Sequence, residues 1–270
     1  MIDLKKAIDA FNEYRQNYPD TEIINLKVAH TKRVMKNCLH LAKSLKLSEE
    51  DTNLAVLIGL LHDIGRFEQA KIYNTFIDSR SINHAMFSSK QLFSNGLIRN
   101  FIEDDRYDSI IQVAIENHNK FEIDKSVTGK ALEMSKIVRD ADKIDIYVQV
   151  LESNPNIVFD GKHNKTDKIS EKVFDDFMAH KCIQTSDMKC KSDDFVRKVA
   201  LIYGLYYPES LEIILKQDLI TKLSNHFKSS FDFSNPNSIF KIDMVTSMAN
   251  SYMKSQVKSF SHPLNVNSRI

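Results

Sequence analysis

The composition of this chain of 270 residues is that of an ordinary globular protein, and its charge excludes one class of partner. Its 37 Lys and Arg nearly balance 36 Asp and Glu, for a net charge of +1, so we expect no binding to duplex nucleic acid. Three cysteines without CxxC spacing predict a reducing, cytoplasmic location. The charged N-terminus does not resemble a signal peptide, and the longest apolar run, 54–61, is too short for a bilayer, so no membrane partner is predicted.

Apolar residues recur at spacings of three and four along almost the whole chain, which predicts an all-α fold. With only 6 Gly and 5 Pro, long helices are favoured over a hairpin-rich β-fold. The predicted helices cover residues 3–17, 23–46, 50–64, 82–95, 104–119, 130–152, 169–180, 192–206, 209–224 and 237–259. A polar segment rich in Asn, Asp and Lys predicts a loop that separates two helical parts. The predicted organisation is therefore a core (1–153), a loop (154–168), a C-terminal extension packed on the core (169–260) and a tail (261–270).

Polar residues stand on apolar helix faces at several points of the core. In the second helix His30 lies four residues from both Leu26 and Val34, and a histidine in such a place is by itself most simply a buried residue bonded to a carbonyl. His62 and Asp63 follow directly on the apolar run 54–61. Gly65 is well placed to end this third helix, so that the pair would face a pocket.

The other polar residues of this kind lie further along the core. His84 follows a loop near the start of a helix, His118 shares a face with Ile115, and Asp142 shares one with Val138. A buried carboxylate is costly unless it is paired or bound to a cation. Imidazole and carboxylate ligands together suit divalent transition metals, so the four histidines and two aspartates predict a metal site.

Three segments match a known family: "HTKRV" from His30, "LLHDIGRFEQ" around His62 and Asp63, and "RDADKIDIY" around Asp142. They resemble the H…HD…D signature of the HD-domain metal-dependent phosphohydrolase superfamily, over about residues 23–152, and most of all its stand-alone bacterial hydrolases. The resemblance implies an HD-domain helical bundle with additional C-terminal helices. It also implies that His30, His62, Asp63 and Asp142 are metal ligands. Asp142 is preferred to Asp140 and Asp145 because it precedes Lys143 and shares a face with core residues.

His84 and His118 decide how many metals the resemblance implies. In HD phosphodiesterases two further histidines between the doublet and the last Asp hold a second metal, whereas in mononuclear triphosphohydrolases they contact phosphate or act as general acid. We expect two divalent metals per chain, from Mn, Fe, Co, Ni or Zn, with Mg also compatible. No Gly-Tyr-Pro follows the second histidine, which argues against a cyclic-di-GMP substrate.

The resulting hypothesis is a metal-dependent phosphohydrolase that acts on a small phosphorylated substrate, expected to be a nucleotide, through metal-activated water. Asp63 would bridge the metals, while Lys143 and Arg66 would act in catalysis and bind phosphate. Arg80 and Arg139 are further candidates for substrate binding, although each of these arginines could instead form a salt bridge. The alternatives are a non-catalytic regulatory HD protein and a di-iron oxygenase with the same ligands. The sequence does not predict an oligomeric state and is compatible with a homodimer.

Overall fold

The computed structural model describes residues 2–155, 159, 168–233 and 236–261, and the regular structure among them is helical throughout. The predicted all-α fold is therefore confirmed. The chain divides into two compact units, Met1–Asp145 and Ile146–Ile270, and each is described by itself. Most of the predicted loop (154–168) and of the predicted tail (261–270) lies outside the described residues. The predicted domain bounds and the packing of the extension on the core stay predictions.

The first unit contains two helices that pack extensively against each other, α2 (Glu22–Ser44) and α3 (Glu49–Leu61). Thr21 caps α2 through Ile24 N, and Ser48 caps α3 through Asp51 N, so both helices begin where side-chain oxygens satisfy free backbone donors. Another helix of this unit begins at Gly129. The helices are α1 (Leu4–Arg15), α2 (Glu22–Ser44), α3 (Glu49–Leu61), α4 (Gly65–Tyr73), α5 (His84–Ser89), α6 (Asp108–His118) and α7 (Gly129–Glu152).

The predicted role of Gly65 was wrong. Helix α3 ends at Leu61, and Gly65 begins α4, a helix that the apolar spacing did not predict. A Cβ at this position would lie 2.7 Å from the backbone nitrogen of Ser88 in α5. Glycine is required here because two backbones approach closely, not because a helix has to stop.

The second unit contains α8 (Glu171–Met178), α9 (Lys191–Val199), α10 (Pro208–Lys216), α11 (Leu219–Ser230) and α12 (Pro236–Ser261). Its core includes the fully buried rings of Phe177, Phe195 and Phe227. The single helix predicted over 209–224 is two helices, because Asp218 adopts a left-handed conformation (φ 52°) that interrupts it. Among the helices of the described ranges, none is both long enough and apolar enough to cross a membrane.

Candidate metal centre

Two histidines from neighbouring helices meet at the centre of the first unit. His30 lies in the middle of α2 and His62 at the C-terminal end of α3, and their Nε2 atoms are 3.1 Å apart. Asp63 Oδ2 lies 3.4 Å from His30 Nε2 and 3.7 Å from His62 Nε2. Asp142, from α7, places Oδ1 at 3.4 and 3.9 Å from the same two nitrogens. These four residues form the first half of the cluster.

A second pair of histidines faces the other oxygen of Asp63. His84 begins α5 and His118 ends α6, and their Nε2 atoms are 3.0 Å apart. Asp63 Oδ1 lies 3.5 Å from His84 Nε2 and 3.7 Å from His118 Nε2. Two groups of potential metal-ligand atoms therefore share one residue, Asp63, which offers one oxygen to each. The structure thus brings all six predicted ligands together, and the sharing of Asp63 is the main feature of the arrangement.

The outer nitrogen of each imidazole is held by an acceptor. His62 Nδ1 donates to the Gly59 carbonyl at 2.8 Å, and His118 Nδ1 donates to the Ile115 carbonyl at 2.7 Å. Since a carbonyl only accepts, these Nδ1 atoms carry the hydrogen and the Nε2 atoms present lone pairs. The Nδ1 atoms of His30 and His84 contact carboxylates instead, Asp145 Oδ2 at 2.7 Å and Asp78 Oδ2 at 2.5 Å. This pattern of outer hydrogen bonds is typical of metal-binding histidines.

Burial keeps two of the imidazoles neutral. It lowers the pKa of His62 from 6.5 to about 3, and that of His84 from 6.5 to about 4 although Asp78 opposes the change. Neutral imidazole is the form that binds metals. His30 differs. Burial and the Lys27 ammonium lower its pKa, but the carboxylates of Asp145, Asp63 and Asp142 outweigh them, so the pKa is raised above 6.5.

The two carboxylates of the cluster are ionised. Burial by itself would raise the pKa of Asp63, but the Lys27 ammonium and the neighbouring histidines outweigh burial and hold this pKa well below 3.8. Burial likewise disfavours the ionised form of Asp142, but His30 and His62 favour it, and the pKa of Asp142 is lowered overall. The cluster therefore presents two anionic groups together with the neutral imidazoles of His62 and His84, a donor set that suits a divalent transition metal.

The buried carboxylate of Asp63 lacks a complete set of hydrogen bonds. Lys27 Nζ lies 2.9 Å from Oδ2, and Arg66 Nε lies 3.6 Å from Oδ1. Within the described part of the chain, Oδ1 is buried and has no hydrogen-bond partner. Leaving a buried charged acceptor unsatisfied is costly, and a cation between Oδ1 and the facing histidines would remove that cost.

The spacing of the nitrogens fits the same cation chemistry. Histidine nitrogens bind transition metals at about 2.0–2.1 Å, so two of them on one ion stand about 3.0 Å apart at right angles and about 3.4 Å apart in a tetrahedral site. The His84–His118 and His30–His62 separations are 3.0 and 3.1 Å. The residues present therefore fit a metal in each half of the cluster, although their role as ligands stays a prediction.

The four residues predicted to bind phosphate differ in their burial and in their distance from the cluster. Arg66 stands beside Asp63, but its Nη1 donates to the Phe76 carbonyl at 2.6 Å and to Asp78 Oδ1 at 2.8 Å. Lys143 follows Asp142 in α7 and is half-buried. Arg80 is exposed on a short 3₁₀ turn, Asp78–Arg80. Arg66 therefore lies beside Asp63 in space, and Lys143 is next to Asp142 in the sequence.

Arg139 lies inside the protein instead of facing a pocket. It is 1% exposed, and its guanidinium donates to backbone carbonyls that follow or end α6. These acceptors are the carbonyls of Asn117 (2.7 Å), His118 (3.3 Å), Lys120 (2.6 Å) and Phe121 (3.1 Å). Its placement favours support of the segment that carries His118 over contact with substrate, because its guanidinium nitrogens serve these carbonyls.

Three residues beside the cluster were not predicted from the sequence as its supports: Lys27, Asp78 and Asp145. Lys27 has a sequence signal, since this lysine stands three residues before His30 on the same helix face. Asp145 was considered only as a metal ligand, whereas it supports His30 from behind. Asp78 has no comparable signal, because it lies on a loop whose course the local sequence does not predict.

Comparison with known proteins gives one family match, and it covers the residues that form the cluster. Residues 28–147 match the family model described as HD domain, which covers somewhat less than half of the chain and contains all six clustered residues. Neither the search of curated proteins nor the search of solved structures gives a match. The segment matched begins two residues before His30 and ends five residues after Asp142. Residues 28–147 of this chain therefore match an HD domain, and proteins with this domain are mostly metal-dependent phosphohydrolases.

Proposed function

We propose that this protein is a metal-dependent phosphohydrolase that uses two divalent transition metals to hydrolyse a small phosphorylated substrate, expected to be a nucleotide. One observation carries the proposal. Asp63 is 3% exposed and turns one carboxylate oxygen towards each of two facing histidine pairs. A carboxylate shared in this way is suited to joining two metal ions, and it would be a costly arrangement without them.

The two halves of the cluster would hold one metal each. His30, His62 and Asp142 would bind the first metal together with Asp63 Oδ2. His84 and His118 would bind the second together with Asp63 Oδ1. The second half supplies fewer protein ligands, which leaves more positions for water or substrate on that side.

The residues around the cluster supply what phosphoryl transfer needs from the protein. When bound, the metals would supply a water with a pKa near neutrality and stabilise charge on the phosphoryl oxygens. Lys27 and Arg66 place positive charge on the two sides of Asp63, 2.9 and 3.6 Å from its oxygens. We propose that they keep the site attractive to an anionic substrate, and that Lys143 contacts the phosphate. Arg139 has no substrate contact in this proposal.

The class of substrate rests on charge and on the family resemblance. The cations next to Asp63 favour an anionic ligand, and the resemblance favours a nucleotide among phosphorylated molecules. We propose no duplex nucleic acid or membrane as partner, and a homodimer is compatible with the proposal. The cytoplasmic location remains a prediction from the number and spacing of the three cysteines.

The test begins with metal analysis of the full chain purified without chelator, followed by a phosphate-release screen over a nucleotide panel with Mn²⁺, Co²⁺, Ni²⁺ and Mg²⁺. His62→Ala and Asp63→Ala should each lose bound metal and phosphate release with little loss of helix content. His40→Ala is the matched control, since His40 is exposed on the same helix as His30. Full phosphate release by either cluster variant would overturn the site assignment.

Two other outcomes would overturn the phosphohydrolase proposal when oxygen consumption is measured beside phosphate release. Bound iron with oxygen consumption and no phosphate release would identify a di-iron oxygenase. Retained metal with no turnover of any phosphorylated compound would indicate a regulatory metal-binding protein.

A further inference from the structure

Asp78 lies in the segment that connects α4 and α5, and its carboxylate contacts His84, a residue of the second half of the cluster. Asp78 Oδ2 accepts from His84 Nδ1 at 2.5 Å and from the His84 backbone nitrogen at 3.3 Å. Its other oxygen, Oδ1, accepts from Arg66 Nη1 at 2.8 Å and from Gln69 Nε2 at 3.3 Å. Asp78 therefore joins His84 to two side chains of α4.

The corresponding carboxylate of the first half is held very differently. Asp145 lies on α7 with its side chain 1% exposed, and Arg33 Nε and Nη2 donate to it at 2.5 and 3.2 Å. The Asp78 side chain is 32% exposed on a 3₁₀ turn of three residues. The orientation of His30 thus depends on a long buried helix, whereas that of His84 depends on a partly exposed loop. Loops open at lower free energy than packed helices.

A competing partner stands next to His84 Nδ1. The amide nitrogen of Asn119 lies 3.4 Å from this atom and 3.1 Å from Asn83 Oδ1. Asn83 Oδ1 also accepts from the backbone nitrogens of Ala85 and Met86, so the Asn83 atom is the oxygen and the Asn119 atom facing it is the nitrogen. An amide nitrogen donates a hydrogen bond. If Asn119 were the main partner of Nδ1, the hydrogen of a neutral His84 would move to Nε2, the atom that faces Asp63 and His118.

We propose that Asp78 is a positioning residue, which keeps the Nε2 lone pair of His84 directed at the metal position beside Asp63 Oδ1. Because Asp78 lies on a partly exposed loop, the His84–His118 half of the site should lose its metal before the His30–His62 half. This inference rests on the proposed function, since it requires two metals per chain. The second half already has fewer protein ligands, and Asp78 adds a further difference because it holds His84 from a partly exposed loop. Carboxylates behind metal-binding histidines contribute about 10–100-fold to metal affinity in other sites.

The test is equilibrium dialysis of the metal-free full chain against Co²⁺, with bound metal measured by elemental analysis. The parent chain should bind two Co²⁺ in two unequal steps. Asp78→Ala should bind the first with the parent affinity and the second about 10–100-fold more weakly. Asp78→Asn should fall between them, because its amide oxygen still accepts from Nδ1 but carries no charge. Asp105→Asn, at an exposed aspartate of another loop, is the matched control and should match the parent.

The results of this experiment distinguish a failure of the Asp78 inference from a failure of the two-metal proposal. A parent chain that binds a single Co²⁺ overturns the two-metal proposal, and this inference with it. Two parent sites combined with an unchanged second step in both Asp78 variants overturn this inference alone. Equal weakening of both steps also overturns it, because a loss of general structure would affect both halves. Should Asp78→Ala fail to fold, as judged by circular dichroism, Asp78→Asn provides the same comparison.

Discussion

Replacing Gly65 by alanine should disturb both the stability of the first unit and the second half of its site. The added Cβ would lie 2.7 Å from Ser88 N and 3.0 Å from the carbonyl carbon of Phe87. Both are backbone atoms of α5, so no side-chain rotation relieves the contact. Gly65 N also donates to Ser88 Oγ at 3.0 Å, which ties the start of α4 to α5.

The size of the effect follows from the distance. Since ordinary contacts of a Cβ begin near 3.4 Å, α4 and α5 would have to move apart by about 0.7 Å at this point. Overpacking of this kind lowers the free energy of unfolding by about 1–3 kcal/mol. Asp63 precedes Gly65 by two residues and His84 precedes Ser88 by four, so the shift would also lengthen the 3.5 Å contact between Asp63 and His84.

Urea denaturation of the metal-free protein, followed by circular dichroism, measures the first effect, and Co²⁺ dialysis measures the second. Gly59→Ala is the comparison, because its Cβ would meet Cys38 Sγ at 2.9 Å and backbone only at 3.4 Å. A helix-interior alanine also gains about 1 kcal/mol over glycine, so Gly59→Ala should stay within about 1 kcal/mol of the parent. If Gly65→Ala proved as stable as Gly59→Ala and bound Co²⁺ like the parent, the close approach of α4 to α5 would be refuted.

Three further predictions concern the cluster and its support. His118→Ala should lower bound metal from two ions towards one per chain, and elemental analysis that finds no change would contradict the two-metal proposal. Arg139→Met should lower the free energy of unfolding by about 3 kcal/mol, because buried carbonyls at the end of α6 lose their donor; an unchanged urea midpoint would argue against this support. The metal-free chain should lose stability as the pH falls below 6.5, since unfolded His62 and His84 take up protons there but the folded forms do so only near pH 3 and 4. The raised pKa of His30 has the opposite effect, but His30 is a single group, whereas His62 and His84 both lower the stability. A rise in the urea midpoint from pH 7 to 5.5 would contradict the prediction.

Much of the cluster could be predicted from local patterns. His30, His118 and Asp142 stand on apolar helix faces, and a helix fixes which residues share a face through its period alone. The doublet His62–Asp63 follows an apolar run, and that run by itself marks the doublet as buried. The structure places these residues together, as the order of the segments and the family resemblance predicted.

Other features depend on which segments approach each other, and no local pattern contains that information. Asp78 lies on a loop, and it contacts His84 only because the connection folds back over α4. Arg139 was predicted as a candidate for substrate binding, whereas the path of the chain after α6 buries its guanidinium among four backbone carbonyls. Gly65 suggested a helix end, whereas a neighbouring backbone is the reason for the glycine.

The helical class and the candidate His and Asp residues could be predicted from side-chain period and apolar segments, together with the family resemblance, because period and burial are properties of single segments. The position of Asp63 between two histidine pairs, and the support of one half by Asp145 and of the other by Asp78, follow from the packing of the folded unit. These relations join residues up to 115 positions apart in the chain. Such distances are set by the packing of helices against one another, which is a property of the whole unit and of no single segment.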